Sequence, residues 1–194
     1  FHWSAKQSLA RWLNINKIPA LTGIDTRGVT MLLRKKGTML GRIEIQGGAH
    51  HPSALTASTD PSARNLVAEV SCPRIMRYLP KRPQTRSKKL LLIDCGVKLS
   101  IIRALLTRGH QVIRVPWNYE LAASRLRFDG IIISNGPGNP KMCNATIDSI
   151  RYALAQRIPI LGICLGNQLL ALAAGADTYK LKYGHRSQNQ PCIE

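Results

Sequence analysis

Two glycines flank a cysteine at the junction of two apolar segments, in the pattern Gly162-x-Cys164-x-Gly166. An apolar strand that turns at once into a helix projects the side chain at the turn above the edge of a sheet, and the glycines give the backbone room to turn. A helix N-terminus favours a thiolate, and the N–H of Leu165 would point at a developing oxyanion. The motif predicts that Cys164 is a nucleophile, against the alternative that it is a small buried hydrophobe at a strand end.

A second polar segment, residues 134–140 with the letters SNGPGNP, follows another apolar run. Gly136 and Gly138 lie next to prolines, so we expect a rigid loop whose N–H groups can face a ligand. In an open parallel sheet, the strand C-termini gather at the edge where ligands bind. This loop and Cys164 are therefore expected at the same edge, and the alternative for the loop is an ordinary Gly/Pro turn.

The elements that must position these residues alternate between strand and helix after residue 89. Near-continuous apolar strands predict a mostly parallel sheet covered on both faces, which is a doubly wound α/β fold. The predicted strands are residues 90–93, 111–115, 130–133 and 158–163, with a further candidate at 178–182. The predicted helices are residues 97–108, 119–126, 145–156 and 165–174.

The N-terminal part of the chain has a different organisation. Ser4 and Gln7 have the spacing of a capping box ahead of an apolar helical stripe. Asp25 or Thr26 is expected to cap a second helix, which ends at a glycine, and residues 38–45 are predicted as a strand.

A basic segment separates the two parts. Residues 71–89 contain three prolines and seven Lys or Arg residues, a composition that suits neither a strand nor a helix. We therefore predict the C-terminal part of a smaller N-terminal domain at 1–70, a basic linker at 71–89 and a second domain at 90–194, cut at its C-terminus.

The charge of the chain indicates which classes of partner it can bind. It has 28 Lys and Arg residues against 10 Asp and Glu residues, a net charge of +18 over 194 residues. The charge is spread along the chain and aromatic residues make up only 5%, which disfavours nucleic-acid binding and favours a solvated basic surface or an acidic partner. No apolar run is long enough to span a membrane, so no membrane partner is expected.

The five cysteines are far apart and include no C-x-x-C pair. This pattern argues against a metal site or a disulfide scaffold and favours a reducing compartment. The cytoplasm is the expected location, and a mitochondrial location is the alternative if a transit peptide precedes Phe1.

The two motifs together resemble class I glutamine amidotransferases of the Cys-His-Glu type. The matching residues are Asn135-Gly136-Pro137-Gly138 and Gly162-Ile163-Cys164-Leu165-Gly166-Asn167-Gln168. The stretches at 23–27, 37–41, 94–98, 115–117 and 175–186 resemble the small subunit of carbamoyl phosphate synthetase in particular. The resemblance covers nearly the whole chain and implies a flavodoxin-like amidotransferase fold.

The resemblance also implies a set of roles. Cys164 would be the nucleophile, the N–H groups of Gly138 and Leu165 the oxyanion hole, and Gly136, Gly138, Leu165 and Gln168 the lining of a pocket for L-glutamine. No cofactor is implied for this chain. Ammonia would pass to a large synthetase subunit or domain that uses bicarbonate, ATP and Mg for arginine or pyrimidine biosynthesis.

The resemblance places the catalytic His and Glu downstream of Glu194, and none of the five histidines is assigned as the base. One rival is therefore a catalytically incomplete interaction or regulatory module of the same fold. A second rival, a flavodoxin-like binding domain, lacks support because Gly96 and Gly109 do not form a Gly-x-Gly-x-x-Gly fingerprint.

Overall fold

A computed structural model of the chain describes residues 3, 5–41, 60–82, 84–182 and 184. The chain divides into two units, Phe1–Ile43 with Lys180–Glu194, and Glu44–Tyr179. The second unit contains the sheet and the residues of both chemical motifs.

The first unit contains the helices α1 (Leu9–Ile15) and α2 (Thr26–Lys36). Ser8 caps α1 by accepting a hydrogen bond from the N–H of Arg11 at 3.2 Å. The predicted capping box was therefore wrong, because the helix begins at Leu9, five residues after Ser4, which itself lies outside the described residues. The Asp25 cap of α2 is confirmed, with its Oδ1 accepting from the N–H of Gly28 at 2.8 Å.

Two predicted strands are not found in this part of the chain. Residues 38–41 and 180–182 lie in the first unit without strand structure, and residues 178 and 179, in the second unit, have none either. The N–H of Thr38 donates to the carbonyl of Lys182 at 3.2 Å, but a strand needs a ladder of such bonds, and the described residues of these segments form none. The remaining residues of the predicted strand at 38–45, residues 42–45, lie outside the described part of the chain.

In the second unit, the described residues form one sheet with the strand order β1-β3-β2-β4-β5. The strands are β1 (Met76–Tyr78), β2 (Lys89–Asp94), β3 (Gln111–Pro116), β4 (Gly130–Ile133) and β5 (Ile160–Gly162). Strands β2 to β5 are parallel, and β1 pairs antiparallel with β3. The prediction of a mostly parallel sheet is confirmed.

The helices of this unit are α3 (Leu66–Val70), α4 (Leu99–Thr107), α5 (Asn144–Ala155) and α6 (Leu165–Ala173), with short 3-10 helices at Pro61–Ala63 and Pro140–Met142. None of the helices in the described ranges is long and apolar enough to cross a membrane.

Side chains that alternate along the strands build a core on each face of the sheet. Leu92, Val112 and Ile132 pack with Ile102 of α4 on one face. On the other face the sheet packs against α5 and α6 through a larger cluster that includes Leu91, Ile93, Ile131, Ile133, Ile147, Ile150 and Leu169. Helices therefore cover both faces, as the apolar strands predicted.

The predicted helix at 119–126 is absent, and the described segment is irregular. The N–H of Ser124 donates to the carbonyl of Leu121 at 3.0 Å, and other backbone groups of this region bond to side chains of α5. The hydroxyl of Ser149 donates to the carbonyl of Tyr119 at 2.7 Å and accepts from the N–H of Leu121 at 3.4 Å, and that of Thr146 donates to the carbonyl of Trp117 at 2.7 Å. Because α5 provides hydrogen-bond partners for these backbone groups, a local helix is not needed to pair them.

The basic segment 71–89 is not wholly irregular either. Its residues Met76–Tyr78 form β1, in which Arg77 lies opposite Ile113. The interpretation that this composition excludes a strand was wrong, because its prolines, Pro73, Pro80 and Pro83, flank the strand without interrupting it and β1 is at the sheet edge. The domain limits 1–70, 71–89 and 90–194 stay a prediction.

Candidate active site

Cys164 lies in the two-residue connection between β5 and α6. Its backbone has φ 55° and ψ −109°, a left-handed value that a residue with a side chain adopts only under strain. The carbonyl of Cys164 accepts from the N–H of Asn167 at 3.0 Å and from that of Gln168 at 3.3 Å, so the turn is closed by the first turn of α6. The predicted strand-turn-helix layout is present, and the side chain of Cys164 is exposed.

The turn packs directly on the neighbouring strand β4. The N–H of Ile163 donates to the carbonyl of Ile133 at 3.0 Å. A Cβ placed on Gly166 would collide with that same carbonyl, and a Cβ on Gly162 would lie 2.5 Å from the carbonyl oxygen of Gly166. Glycine is needed at both positions because backbone meets backbone there. This packing brings Cys164 beside the segment that follows β4.

Gly136 and Gly138 lie in that segment, the loop at 134–139. A Cβ on Gly136 would collide with the carbonyl oxygen of Cys95 and would lie 2.8 Å from Cδ2 of Leu165. Gly138 has φ 87° and faces Leu66 of α3, with a Cβ-to-Cβ separation of 3.4 Å for an added side chain. The structure thus brings Gly136 against Leu165, the residue after Cys164, and sets Gly138 against α3.

Gln168 lies on the first turn of α6, and its side chain is exposed. The N–H of Gln168 donates to the carbonyl of Cys164 at 3.3 Å, so the two residues are adjacent at the start of α6. Leu165, in contrast, is only 2% exposed and packs into the core with Leu169. The role of the Leu165 N–H in an oxyanion hole stays a prediction.

A buried carboxylate organises the loop after β2, and sequence reasoning missed it. Asp94 is fully buried; its Oδ1 accepts from the N–H groups of Gly96 and Val97 at 3.0 and 2.8 Å. Its Oδ2 accepts from the N–H of Cys72 at 2.6 Å and from the Arg114 guanidinium at 2.6 and 2.9 Å. Burial alone would raise the pKa of Asp94, but these hydrogen bonds outweigh it and hold the pKa below the ordinary value of 3.8. The available signal was an acid that ends an apolar strand.

One histidine, His110, falls in the described part of the chain, and it precedes β3. Its Nδ1 accepts from the N–H of Lys88 at 3.2 Å. Because β3 and β5 are parallel, the start of β3 and the end of β5 lie at opposite ends of the strands. His110 is therefore far from Cys164. The other four histidines, His2, His50, His51 and His185, lie outside the described residues.

One described cleft does not include the predicted site residues. An open cleft of about 550 Å³ is lined by Leu79, Lys81, Arg82, Arg103, Leu106 and Thr107, and none of the predicted site residues belongs to it. Within the described ranges, no group of three or more His, Cys, Asp or Glu side chains could hold a metal ion.

Comparison with known families identifies the sheet-containing part. The family model for class I glutamine amidotransferases matches residues 91–194 of the 194 residues, more than half of the chain. The chain therefore belongs to the class I glutamine amidotransferase family. The model for the carbamoyl-phosphate synthase small chain, CPSase domain, matches residues 1–43.

Three curated relatives extend this result over the whole chain. The carbamoyl phosphate synthase arginine-specific small chain of Eremothecium gossypii is 43% identical over 100% of this chain and 48% of that protein. The multifunctional protein CAD of Squalus acanthias is 45% identical over 99% of this chain and 8% of that protein. The mitochondrial carbamoyl-phosphate synthase (ammonia) of Homo sapiens is 41% identical over 99% of this chain and 12% of that protein. The chain spans less than half the length of each of these relatives.

Proposed function

We propose that this chain hydrolyses L-glutamine as the amidotransferase part of a carbamoyl phosphate synthetase. The observation that carries the proposal is the exposed thiol of Cys164, held on a strained turn at the N-terminus of α6 with Gly136 packed on Leu165. If Cys164 served only as a small apolar residue of the core, it would be buried and would not need a strained backbone. The class I amidotransferase match covers both motifs, and the three relatives are named for carbamoyl phosphate synthesis or as a multifunctional protein.

The thiolate of Cys164 attacks the carbon of the glutamine side-chain amide and forms a C–S bond. The N–H groups of Leu165 and Gly138 stabilise the resulting oxyanion. When the C–N bond breaks, the nitrogen takes up a proton and leaves as ammonia. Water then attacks the thioester, which releases glutamate and restores the thiol. Gly136 and Gln168 complete the glutamine pocket, and the proton transfers belong to the His–Glu pair of the family, which is not assigned to any residue of this chain.

The ammonia would be used by a large synthetase subunit or domain, with bicarbonate and ATP, to make carbamoyl phosphate for arginine or pyrimidine biosynthesis. In this proposal ATP and magnesium act on the synthetase partner, and no cofactor acts on this chain. The setting is a reducing compartment, the cytoplasm or the mitochondrion, in which the thiol of Cys164 stays free.

Carbamoyl phosphate formation from glutamine and from ammonium chloride should be measured with the complete protein and its synthetase partner. Cys164→Ala should lower the glutamine-dependent rate at least about a thousandfold, because it removes the nucleophile. The ammonia-dependent rate should stay at the level of the unsubstituted protein, because that reaction does not pass through the thioester.

Cys143→Ala is the matched control, since Cys143 is a buried cysteine of the same unit. This control should retain both rates and change only the melting temperature. Glutamine-dependent synthesis that survives in Cys164→Ala would refute the proposed nucleophile.

A second candidate is an interaction or regulatory module without glutaminase activity. The specific observation in its favour is the human relative, whose name specifies ammonia and which is 41% identical to this chain. Trapping of a glutamyl thioester separates the two candidates. A trapped adduct on Cys164 supports hydrolysis, and ammonia-dependent synthesis with no adduct and no glutamine use supports the module.

A further inference from the structure

Asn135, the second residue after β4, joins two backbone groups of the loop after β2. Its Oδ1 accepts from the N–H of Lys98 at 3.2 Å, and its Nδ2 donates to the carbonyl of Gly96 at 3.1 Å. The orientation of the amide is determined by its partners, because a backbone N–H only donates and a carbonyl only accepts. One side chain thus connects the two loops at the edge where Cys164 lies.

The residues on each side of Asn135 contact the same loop. The buried hydroxyl of Ser134 accepts from the N–H of Cys95 at 2.8 Å and donates to the carbonyl of Asn135 at 2.8 Å. Gly136 lies against the carbonyl oxygen of Cys95. The loop after β2 is itself anchored by the buried carboxylate of Asp94, which binds the N–H groups at Gly96 and at the following residue. The loop after β4 is therefore held on a rigid support.

This support bears on the position of the proposed oxyanion donors. Gly136 is confined between Cys95 and Leu165, with no room for even one methyl group. A loop released from Gly96 and Lys98 would lose two of the hydrogen bonds that hold it, and the N–H of Gly138 would be less firmly positioned relative to Leu165. Because catalytic groups act only within narrow geometry, a displacement of about 1 Å lowers a rate by about a hundredfold.

We propose that Asn135 is a positioning residue for glutamine hydrolysis, which holds the loop 136–138 so that the N–H of Gly138 meets the oxyanion formed at Cys164. Asn135 itself does not touch the reacting atoms. This inference rests on the proposed glutaminase function and adds a residue to which that function assigned no role.

The test compares Asn135→Ala, which loses both bonds, and Asn135→Asp, which keeps the size and the acceptor but loses the donor to Gly96. Both are made in the complete protein with its synthetase partner. Ser149→Ala is the matched control, because Ser149 also joins two backbone groups of the same unit but binds Tyr119 and Leu121 instead. The measurements are kcat and KM for glutamine, the ammonia-dependent rate, and the rate at which iodoacetamide alkylates Cys164.

Asn135→Ala should lower kcat and kcat/KM together by about 10- to 100-fold, because the misplaced donor acts in the transition state. Asn135→Asp should show a loss as well, because a carboxylate cannot donate to the Gly96 carbonyl. Alkylation of Cys164 and ammonia-dependent synthesis should be unchanged, since neither uses the oxyanion donors. Ser149→Ala should affect stability alone.

The inference is overturned if Asn135→Ala hydrolyses glutamine no more slowly than Ser149→Ala. It is also overturned if alkylation of Cys164 and the ammonia-dependent rate change in parallel with kcat in both Asn135 variants, because that marks a general structural defect. Failure of the proposed function looks different: the unsubstituted protein then fails to hydrolyse glutamine, or Cys164→Ala retains the activity, and the inference falls with it.

Discussion

The four cysteines in the described part of the chain differ sharply in their surroundings. Cys72, Cys95 and Cys143 are buried, whereas Cys164 is exposed. Burial raises the pKa of Cys72 and of Cys143 to about 11 and that of Cys95 to about 12, because a thiolate in an apolar interior loses its hydration. Since the thiolate is the reactive form of cysteine, burial and a raised pKa both disfavour reaction at Cys72, Cys95 and Cys143, whereas Cys164 is accessible.

This contrast predicts the order of thiol alkylation in the folded protein at pH 8. Iodoacetamide should label Cys164 first, and Cys72, Cys95 and Cys143 should remain unlabelled until the protein is unfolded. Peptide mapping by mass spectrometry after timed labelling measures the order. The same labelling in denaturant is the control, because all the thiols should then react at similar rates. Labelling of Cys143 at the rate of Cys164 in the folded protein would contradict the assignment.

At the scale of the elements, the close contact between α6 and β4 decides where the nucleophile lies. The turn from β5 can pass the end of β4 only because Gly166 has no side chain to meet Ile133. Leu165 then anchors the first turn of α6 in the core while Cys164 stays outside it. The strained turn is maintained by this packing, since a left-handed residue persists only where its surroundings hold it.

Gly166→Ala should therefore destabilise the protein and impair glutamine hydrolysis together. The added methyl group would collide with the Ile133 carbonyl, so α6 must shift, at a cost of about 1–3 kcal/mol. Gly130→Ala is the control in β4, the strand that Gly166 contacts, because its Cβ would lie 3.3 Å from the nearest atom, the Pro159 carbonyl oxygen. Thermal unfolding and glutaminase rate should both be measured. Equal melting temperatures and equal rates for the two variants would show that the contact is not tight.

At the scale of the whole molecule, the parallel sheet separates the candidate site from the described histidine, His110. The loops after β2, β4 and β5 meet at one edge and contain the site, whereas His110 and Lys88 lie at the opposite edge. The net charge of +18 leaves most basic residues without an acid within the chain, which favours contact with an acidic partner surface. That partner, and the expected absence of nucleic-acid binding, remain predictions.

The separation of the edges predicts that His110 is not the base for Cys164. His110→Asn should hydrolyse glutamine at the rate of the unsubstituted protein, because the asparagine can still accept from Lys88 and no reacting atom is near. Loss of a general base lowers a rate by about 10²- to 10⁴-fold, so the outcome is easily read from ammonia release. A fall of that size in His110→Asn would contradict this prediction, because it would mean that His110 acts at the substrate.

The sequence alone determined the alternation of strands and helices and the position of Cys164 between β5 and α6. These follow from local patterns, because apolar runs, glycines and caps act over a few residues. Apolar strands such as β4 also indicated that both faces of the sheet are covered. The motifs with Gly138 and Cys164 carried the resemblance to the family.

Only the tertiary structure decided which groups support the site. The bonds of Asp94 to Cys72 and Arg114, and those of Asn135 to Gly96 and Lys98, join residues that are distant in sequence, so no local pattern reports them. The same reason explains the wrong predictions. In the segment 119–126, backbone groups of Tyr119 and Leu121 bond to Ser149 of α5. The basic segment 71–89 contains β1, because an edge strand is defined by its partner β3 and not by its own composition.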